Sequence, residues 1–584
     1  MIMKRDYESR IQKLLSQMTL EEKIGQLQQC GPSLVGAFDV SFEELLNMMF
    51  DGRISQEEFG RLMSTAEQDY HEEDLRAGRI GSYNGVGDAA TANRLQKIAV
   101  EETRLGIPLL FGYDVIHGFR TVMPIPLAES CAWEPELWEK TGRIAAKEAT
   151  AAGIHMTFAP MVDVAKDARW GRISEGAGED VLLNGAYGAA KVRGFQSDDL
   201  SRENAMAACV KHFAAYGAGE AGRDYNRVDM SLQRLWEEYL PAYKACVDVG
   251  ARAVMPAFND INGLPCSVNR WLLRDILRER WGFNGMVISD ANAIAECVTH
   301  GIATDRKEAA RQAILAGMDM DMTSNSYIEC LQELVESGEA ASRADITVSA
   351  EQMTLIRKLA STGKPVIVVL FNGRPLAIPE LHELAAAVVE AWHPGVEAGN
   401  AILDILCGDV NPSGKLTTTF PAATGQCPMY YAHINTGRPG GKSKFTSKYL
   451  DAPIEPLYPF GYGLSYTTYA YTGRKVEKRE DGIHVSMSVT NTGGRDGEEI
   501  VQCYVQQMTG RRVRPVRQLK DFTKISLKAG ETKTVTFVIP YAGLSYYDWE
   551  MKEVPGEGIV KVYAGGDSQA ELAGQVVLCR ASDR

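Results

Sequence analysis

No two of the 11 cysteines stand in a CxxC pair, and the thiols are scattered along the chain. Several, such as Cys209 and Cys503, lie inside apolar runs, the pattern of reduced, mostly buried thiols in a cytosolic protein. No apolar run approaches the length of a membrane span. The start, Met1-Ile2-Met3-Lys4-Arg5, leads into no apolar h-region, so no signal peptide is expected and the location reads as cytoplasmic. Positive charge is in the minority: the net charge of −14 argues against nucleic acid or an anionic membrane as the main partner and fits a neutral substrate. What is present is ordinary for a soluble globular protein, 45% hydrophobic and 24% charged, and 584 residues suffice for two to four domains.

Residues 7–30 read as helical, with Thr19 and Glu22 forming a capping box ahead of Ile24 and Leu27. Residues 31–77 read as a polar helical cover. Strand-like runs then alternate with helical periodicity. The runs are 79–83, 109–113, 156–160, 207–210, 253–256 and 286–289, with a weak one near residue 300 and another at 318–322. About eight strand–helix repeats predict an α/β fold, a (β/α)8 TIM-like barrel over residues 1–338. Helices follow at 326–337 and 349–361, then strands at 365–370 and 385–391 and a helix at 396–407. Two parallel strands are too few for a complete layer, so 339–469 reads as a partial α/β sandwich domain plus a connecting segment rich in Gly, Pro, Tyr and Asn. From 470 to 584, alternating strands separated by turns such as Asn491-Thr492-Gly493-Gly494 predict a fibronectin type III-like β-sandwich.

The run Met286-Val287-Ile288-Ser289-Asp290 reads as a buried parallel strand ending in a carboxylate. In a β/α barrel that end carries the chemistry, so Asp290 is placed to act as a nucleophile. Asp is also a favoured N-cap, and Asp290 could equally begin the next helix. Other polar residues follow the predicted strands: Asp114, then Asp163, Arg169 and Arg172, then Lys211 and His212, then Asn259 and Asn262. Barrel geometry brings them to one face, where acids, fixed cations and amides make a lining suited to sugar hydroxyls, each of which donates and accepts.

Seven ordered stretches resemble glycoside hydrolase family 3. They are Gly112-Tyr113-Asp114 with His117-Gly118; Asp167-Ala168-Arg169-Trp170-Gly171-Arg172; Lys211-His212-Phe213; Val287-Ile288-Ser289-Asp290; Asn411-Pro412-Ser413-Gly414; the run from Tyr458 to Tyr466; and Arg514-Pro515-Val516-Arg517. The resemblance spans most of the chain. It implies a retaining, exo-acting β-glucosidase that releases terminal non-reducing β-D-glucose from a β-linked oligosaccharide or glucoside. It further implies that Asp290 is the nucleophile and that Asp114, Arg169, Lys211 and His212 hold the innermost sugar. Met255 and Phe258 stand where the family lines that subsite. Lys211 and Arg169 are expected to keep Asp290 ionised. No cofactor or metal is expected, and a homo-oligomer stays open. The loop after Phe213 holds no His, which disfavours the N-acetylglucosaminidase branch.

Two departures stand out. Ala291 follows the nucleophile where the family commonly has a bulky residue, which opens one wall of the aglycone side. The first half of the family's α/β sandwich is missing: the barrel's last helix runs straight into Ser337-Gly338-Glu339-Ala340-Ala341-Ser342-Arg343. The resemblance makes Glu339 in that run the acid/base. A β-xylosidase or arabinosidase of the same fold, and a glycan-binding form without turnover, remain alternatives.

Overall fold

The computed structural model describes residues 7–31, 33–35, 67–303, 306–324, 326–327, 346–441 and 445–578. Eight short parallel strands form its centre: β1 (Gln28–Cys30), β2 (Ser82–Asn84), β3 (Leu110–Tyr113), β4 (Met156–Thr157), β5 (Ala207–Phe213), β6 (Ala253–Pro256), β7 (Met286–Val287) and β8 (Asp321–Met322). They pair in chain order, and β1 pairs with β8. A parallel bridge between Ile288 and Met320 joins β7 to β8, with Ser289 N donating to Met320 O at 2.9 Å, so the sheet returns on itself as a barrel. Met156, Phe158, Cys209, Met255, Ile288 and Met320 fill the interior, and helices such as Pro135–Ala151 and Val181–Gln196 wrap the outside.

The first strand is not where periodicity put it. The expected helix over 7–30 is two helices, Tyr7–Gln17 and Leu20–Gly25, followed by β1. The capping box is present: Glu22 N donates to Thr19 Oγ1 at 3.2 Å and Thr19 N to Glu22 Oε2 at 2.8 Å. Gln28-Gln29-Cys30 carries no apolar run, yet it is a barrel strand because two neighbours pair with it and Gln29 Nε2 donates to Ser82 Oγ at 2.8 Å. The weak strand near residue 300 is absent; helix Ala293–Thr299 occupies that place. The six runs from 79–83 to 286–289 therefore each move up one number, the run at 318–322 stays the eighth, and Asp290 follows the seventh. The polar cover over 31–77 contains, among its described parts, a small antiparallel pair, Ser33–Val35 with Glu67–Asp69, and a helix, Glu72–Arg76.

Beyond the barrel, helix Ala350–Ala360, strand Ile367–Leu370, strand Ala387–Glu390 and helix Ala398–Cys407 follow as expected, the two strands pairing in parallel. The helix expected over 326–337 falls largely outside the described residues. One sheet face packs on Met353, Ile356, Ile378 and Leu381. The other side of this unit stays open: Ile367 is 52% exposed, and helix Ala398–Cys407 has no buried residue despite its Ile and Leu content.

The C-terminal part is two antiparallel sheets. One orders Tyr469–Lys478, Gly482–Asn491 and Thr532–Pro540; the other orders Gln518–Leu527, Gly497–Gln507, Gly558–Gly565 and Leu572–Leu578. Ile483, Val485, Met487 and Val489 alternate inward against Val501, Cys503 and Phe537. Among the described residues no helix is long and apolar enough to cross a membrane.

Candidate active site

The carboxyl ends of β3, β4, β5 and β7 place one charged cluster at the barrel mouth. Lys211 Nζ lies 2.9 Å from Asp114 Oδ1; the lysine is buried, while the Asp114 side chain is 54% exposed and faces the opening. His212 donates both its backbone N–H and Nδ1–H to Asp163 Oδ2, each at 2.9 Å, and Tyr243 Oη donates to Asp163 Oδ1 at 2.5 Å. With Nδ1 protonated, His212 Nε2 accepts from Arg172 Nη2 at 3.0 Å. Burial, then the charges of Arg172 and Lys211, push the His212 pKa well below its ordinary value, so the ring is neutral at pH 7. Lys211-His212 and Phe213-Ala214 are both cis peptides.

Asp290 is 9% exposed. Its Oδ1 accepts the Ala291 N–H at 2.7 Å, and its Oδ2 has no hydrogen-bond partner among the described residues and lies 3.4 Å from His212 Nε2. The helix-cap alternative fails: the next helix starts at Ala293 after Asn292, and among the described residues the Asp290 carboxylate accepts no N–H from its first turn, which reaches only the Asp290 backbone carbonyl, Ala293 N donating at 3.2 Å. Burial pushes Asp290 from 3.8 up to about 6, with Arg172 and then Lys211 drawing it back. A group at about 6 is mostly ionised at neutral pH.

Arg172, rather than Arg169, is the guanidinium of this cluster. Arg169 is taken up by Asp167, with Nη2 at 2.6 Å from Oδ2 and Nε at 2.9 Å from Oδ1. Arg172 also pairs with Glu175 at 2.7 Å; burial raises Glu175, and Arg172 more than offsets it. Met255 is buried in the barrel interior, with Ala291 packed against the same cluster. Phe258 packs on Tyr216 and Tyr225, ring centroids 5.9 and 5.1 Å away. Asn262 does not join the lining: its amide is spent on both backbone groups of Met230.

Three groups escaped sequence reasoning. Glu175 and Tyr243 sit in segments whose pattern says only loop and helix. The carboxylate of Glu296, in the first turn of helix Ala293–Thr299, has no hydrogen-bond or ion-pair partner among the described residues, and burial together with Asp290 pushes it up to about 7. Its position one turn past a strand-end Asp was the available signal.

Glu339 lies outside the described residues. Ile346, seven positions on, packs with Ala168 and Ala377, and Arg374 Nη1 donates to Arg169 O at 3.0 Å. His393 O accepts from Ile125 N at 3.1 Å. The loops after both strands of the α/β unit therefore dock on the barrel rim.

Residues 19–355 match the family model described as glycosyl hydrolase family 3 N terminal domain, and 499–568 match a fibronectin type III-like domain. The chain is similar to a periplasmic beta-glucosidase of Salmonella typhimurium, 33% identical over 746 positions that cover 95% of this chain and 93% of that one. That alignment is longer than the 584 residues here, so at least 162 of its positions (746 against 584) have no residue in this chain. It is also similar to a beta-xylosidase of Formosa agariphila, 30% identical, covering 80% of this chain and 90% of that one. Among solved structures, a beta-glucosidase from Listeria innocua matches with a TM-score of 0.86 at 33% identity, covering 98% of this chain and 99% of that one.

Proposed function

The chain belongs to glycosyl hydrolase family 3 and is a glycoside hydrolase, and on that premise we propose that it is a retaining, exo-acting β-glycosidase releasing terminal β-D-glucose. The carrying observation is Asp290: a buried carboxylate at the mouth, one oxygen free of partners, with Arg172 and Lys211 close enough to favour its ionised form. In the first step Asp290 Oδ2 attacks the anomeric carbon while Glu339 protonates the leaving oxygen; water, deprotonated by Glu339, then releases the sugar from Asp290. Asp114, with its exposed carboxylate, accepts from sugar hydroxyls; Lys211 donates to them, and Arg169 does so through Nη1, since Asp167 holds its Nε and Nη2. Neutral His212 keeps its place through Asp163 and Tyr243. Met255 and Phe258 supply the apolar side of the subsite.

Glu339 as acid/base is supported by its tether. Seven residues of chain reach at most about 25 Å from Ile346, which packs beside the rim. The division into a barrel (1–338), a partial α/β unit (339–469) and a sandwich (470–584) belongs to the same proposal; the observed sheets respect those ranges except that the first sandwich strand begins one residue early, at Tyr469. The Formosa relative, named a beta-xylosidase, favours xylosides as the second reading. No nucleic acid or membrane partner enters the proposal. The cytoplasmic location rests on the free, mainly buried cysteines, and the periplasmic name of the Salmonella relative runs against it.

A 2-deoxy-2-fluoro-β-glucoside traps the covalent intermediate, and peptide mapping should find the label on Asp290. A label on another carboxylate overturns the assignment, and labelling only by the xyloside favours the second reading.

A further inference from the structure

A second cavity, of about 310 Å³, opens far along the chain from the barrel mouth, where the end of strand Gly497–Gln507 meets the segment around Asn435. Its wall is held by backbone pairing: Ile434 bridges Pro515, and Val516 N donates to His433 O at 3.0 Å. The volume is at the lower end of the range that small-molecule sites occupy, about 300–1,000 Å³.

The lining is uncharged where it is open. The amide of Asn435, Nε2 of Gln506 and the hydroxyl of Thr509 have no hydrogen-bond partner among the described residues, while Gln506 Oε1 is already fixed by Tyr563 Oη at 2.8 Å. The two guanidinium groups in the wall are partly engaged: Arg512 Nη2 and Arg514 Nη1 share Glu237 at 2.5 and 2.9 Å and Arg512 Nε donates to Tyr547 O at 3.0 Å, while Arg514 Nε is buried with no partner among the described residues. Met508 and Val513, 43% and 57% exposed, add an apolar surface. Amides and a hydroxyl beside an apolar wall suit a ligand that carries neutral hydroxyls on one edge and C–H groups on its face. An anion would have to compete with Glu237, which both guanidinium groups already share.

We propose that this cavity is an accessory glycan-binding site for a short stretch of neutral β-linked polysaccharide, separate from the barrel pocket. The choice of a β-glucan as probe rests on the proposed glycosidase activity, but binding here requires no turnover.

Native electrophoresis of the full chain through gels containing a soluble β-glucan, a soluble xylan, or neither reads this binding. The parent chain should be retarded in at least one polysaccharide gel, and Asn435→Ala/Gln506→Ala should lose most of that retardation. Turnover of an aryl β-glucoside should be unchanged in the double variant, which separates failure here from failure of the proposed activity. Thr509→Val, which keeps the side-chain shape, should weaken retardation severalfold and serves if the double variant melts early. No retardation of the parent in either polysaccharide gel, or equal migration of parent and folded variants, overturns the site. Retardation lost on Arg512→Gln and on adding salt, but not in the amide variants, overturns the neutral-ligand class.

Discussion

Replacing Asp290 by Asn should stabilise the protein at alkaline pH while removing most of its activity. Folding raises this carboxyl from 3.8 to about 6, so holding it ionised in the folded protein costs about 3 kcal/mol. The stability contributed by the protonated form is complete below 3.8 and is lost as the pH rises through about 6. Asn has the same shape and never ionises, and its amide oxygen can keep accepting the Ala291 N–H that Oδ1 takes at 2.7 Å. The variant should therefore exceed the parent by about 3 kcal/mol at pH 8 and by only about 0.5 kcal/mol at pH 4. In a barrel of this size that is a rise in Tm of roughly 5 °C at pH 8. Thermal melts of both proteins across that pH range, followed by near-UV circular dichroism, measure it. An Asp290→Asn variant no more stable than the parent at pH 8, or a gap that does not close on acidification, refutes the claim that Asp290 is held ionised against its burial.

Lys211→Met should move the acidic limb of kcat/KM for an aryl β-glucoside to higher pH by about one pH unit, since the ammonium draws Asp290 down; an unmoved limb would show that Asp290 does not feel that charge. Ala291→Trp should narrow the range of accepted aglycones by adding a wall and a stacking face, and an unchanged ranking across alkyl, aryl and disaccharide substrates would remove residue 291 from the subsite. Glu339→Ala should cripple hydrolysis of cellobiose yet spare the glycosylation step of activated aryl glycosides, with azide restoring turnover as the β-glycosyl azide; cellobiose turnover at the parent rate rules Glu339 out.

Much of the architecture was legible in local pattern. The strand β7 with Asp290 behind it, the capping box at Thr19, the two strands after residue 360 and the alternating strands of the sandwich all follow from runs, turns and caps that neighbouring residues impose on one another. Motif order then pointed to the family and to Asp290, Asp114, Lys211 and His212 as residues of one site. Only the folded chain decided how those groups divide the work. β1 escaped notice because Gln28-Gln29-Cys30 is a strand through pairing with β2 and β8, which are distant in sequence. Arg172 displaced Arg169 at Asp290 because Asp167, two residues before Arg169, captures that guanidinium first. Tyr243 reaches Asp163 across 80 residues of chain, and no spacing rule in the sequence encodes that approach. The ionisation of Asp290 belongs to the same class. A carboxylate's identity is written in the chain, but its pKa follows from water excluded and from charges that three other strand ends bring to it, Asp114, Arg172 and Lys211.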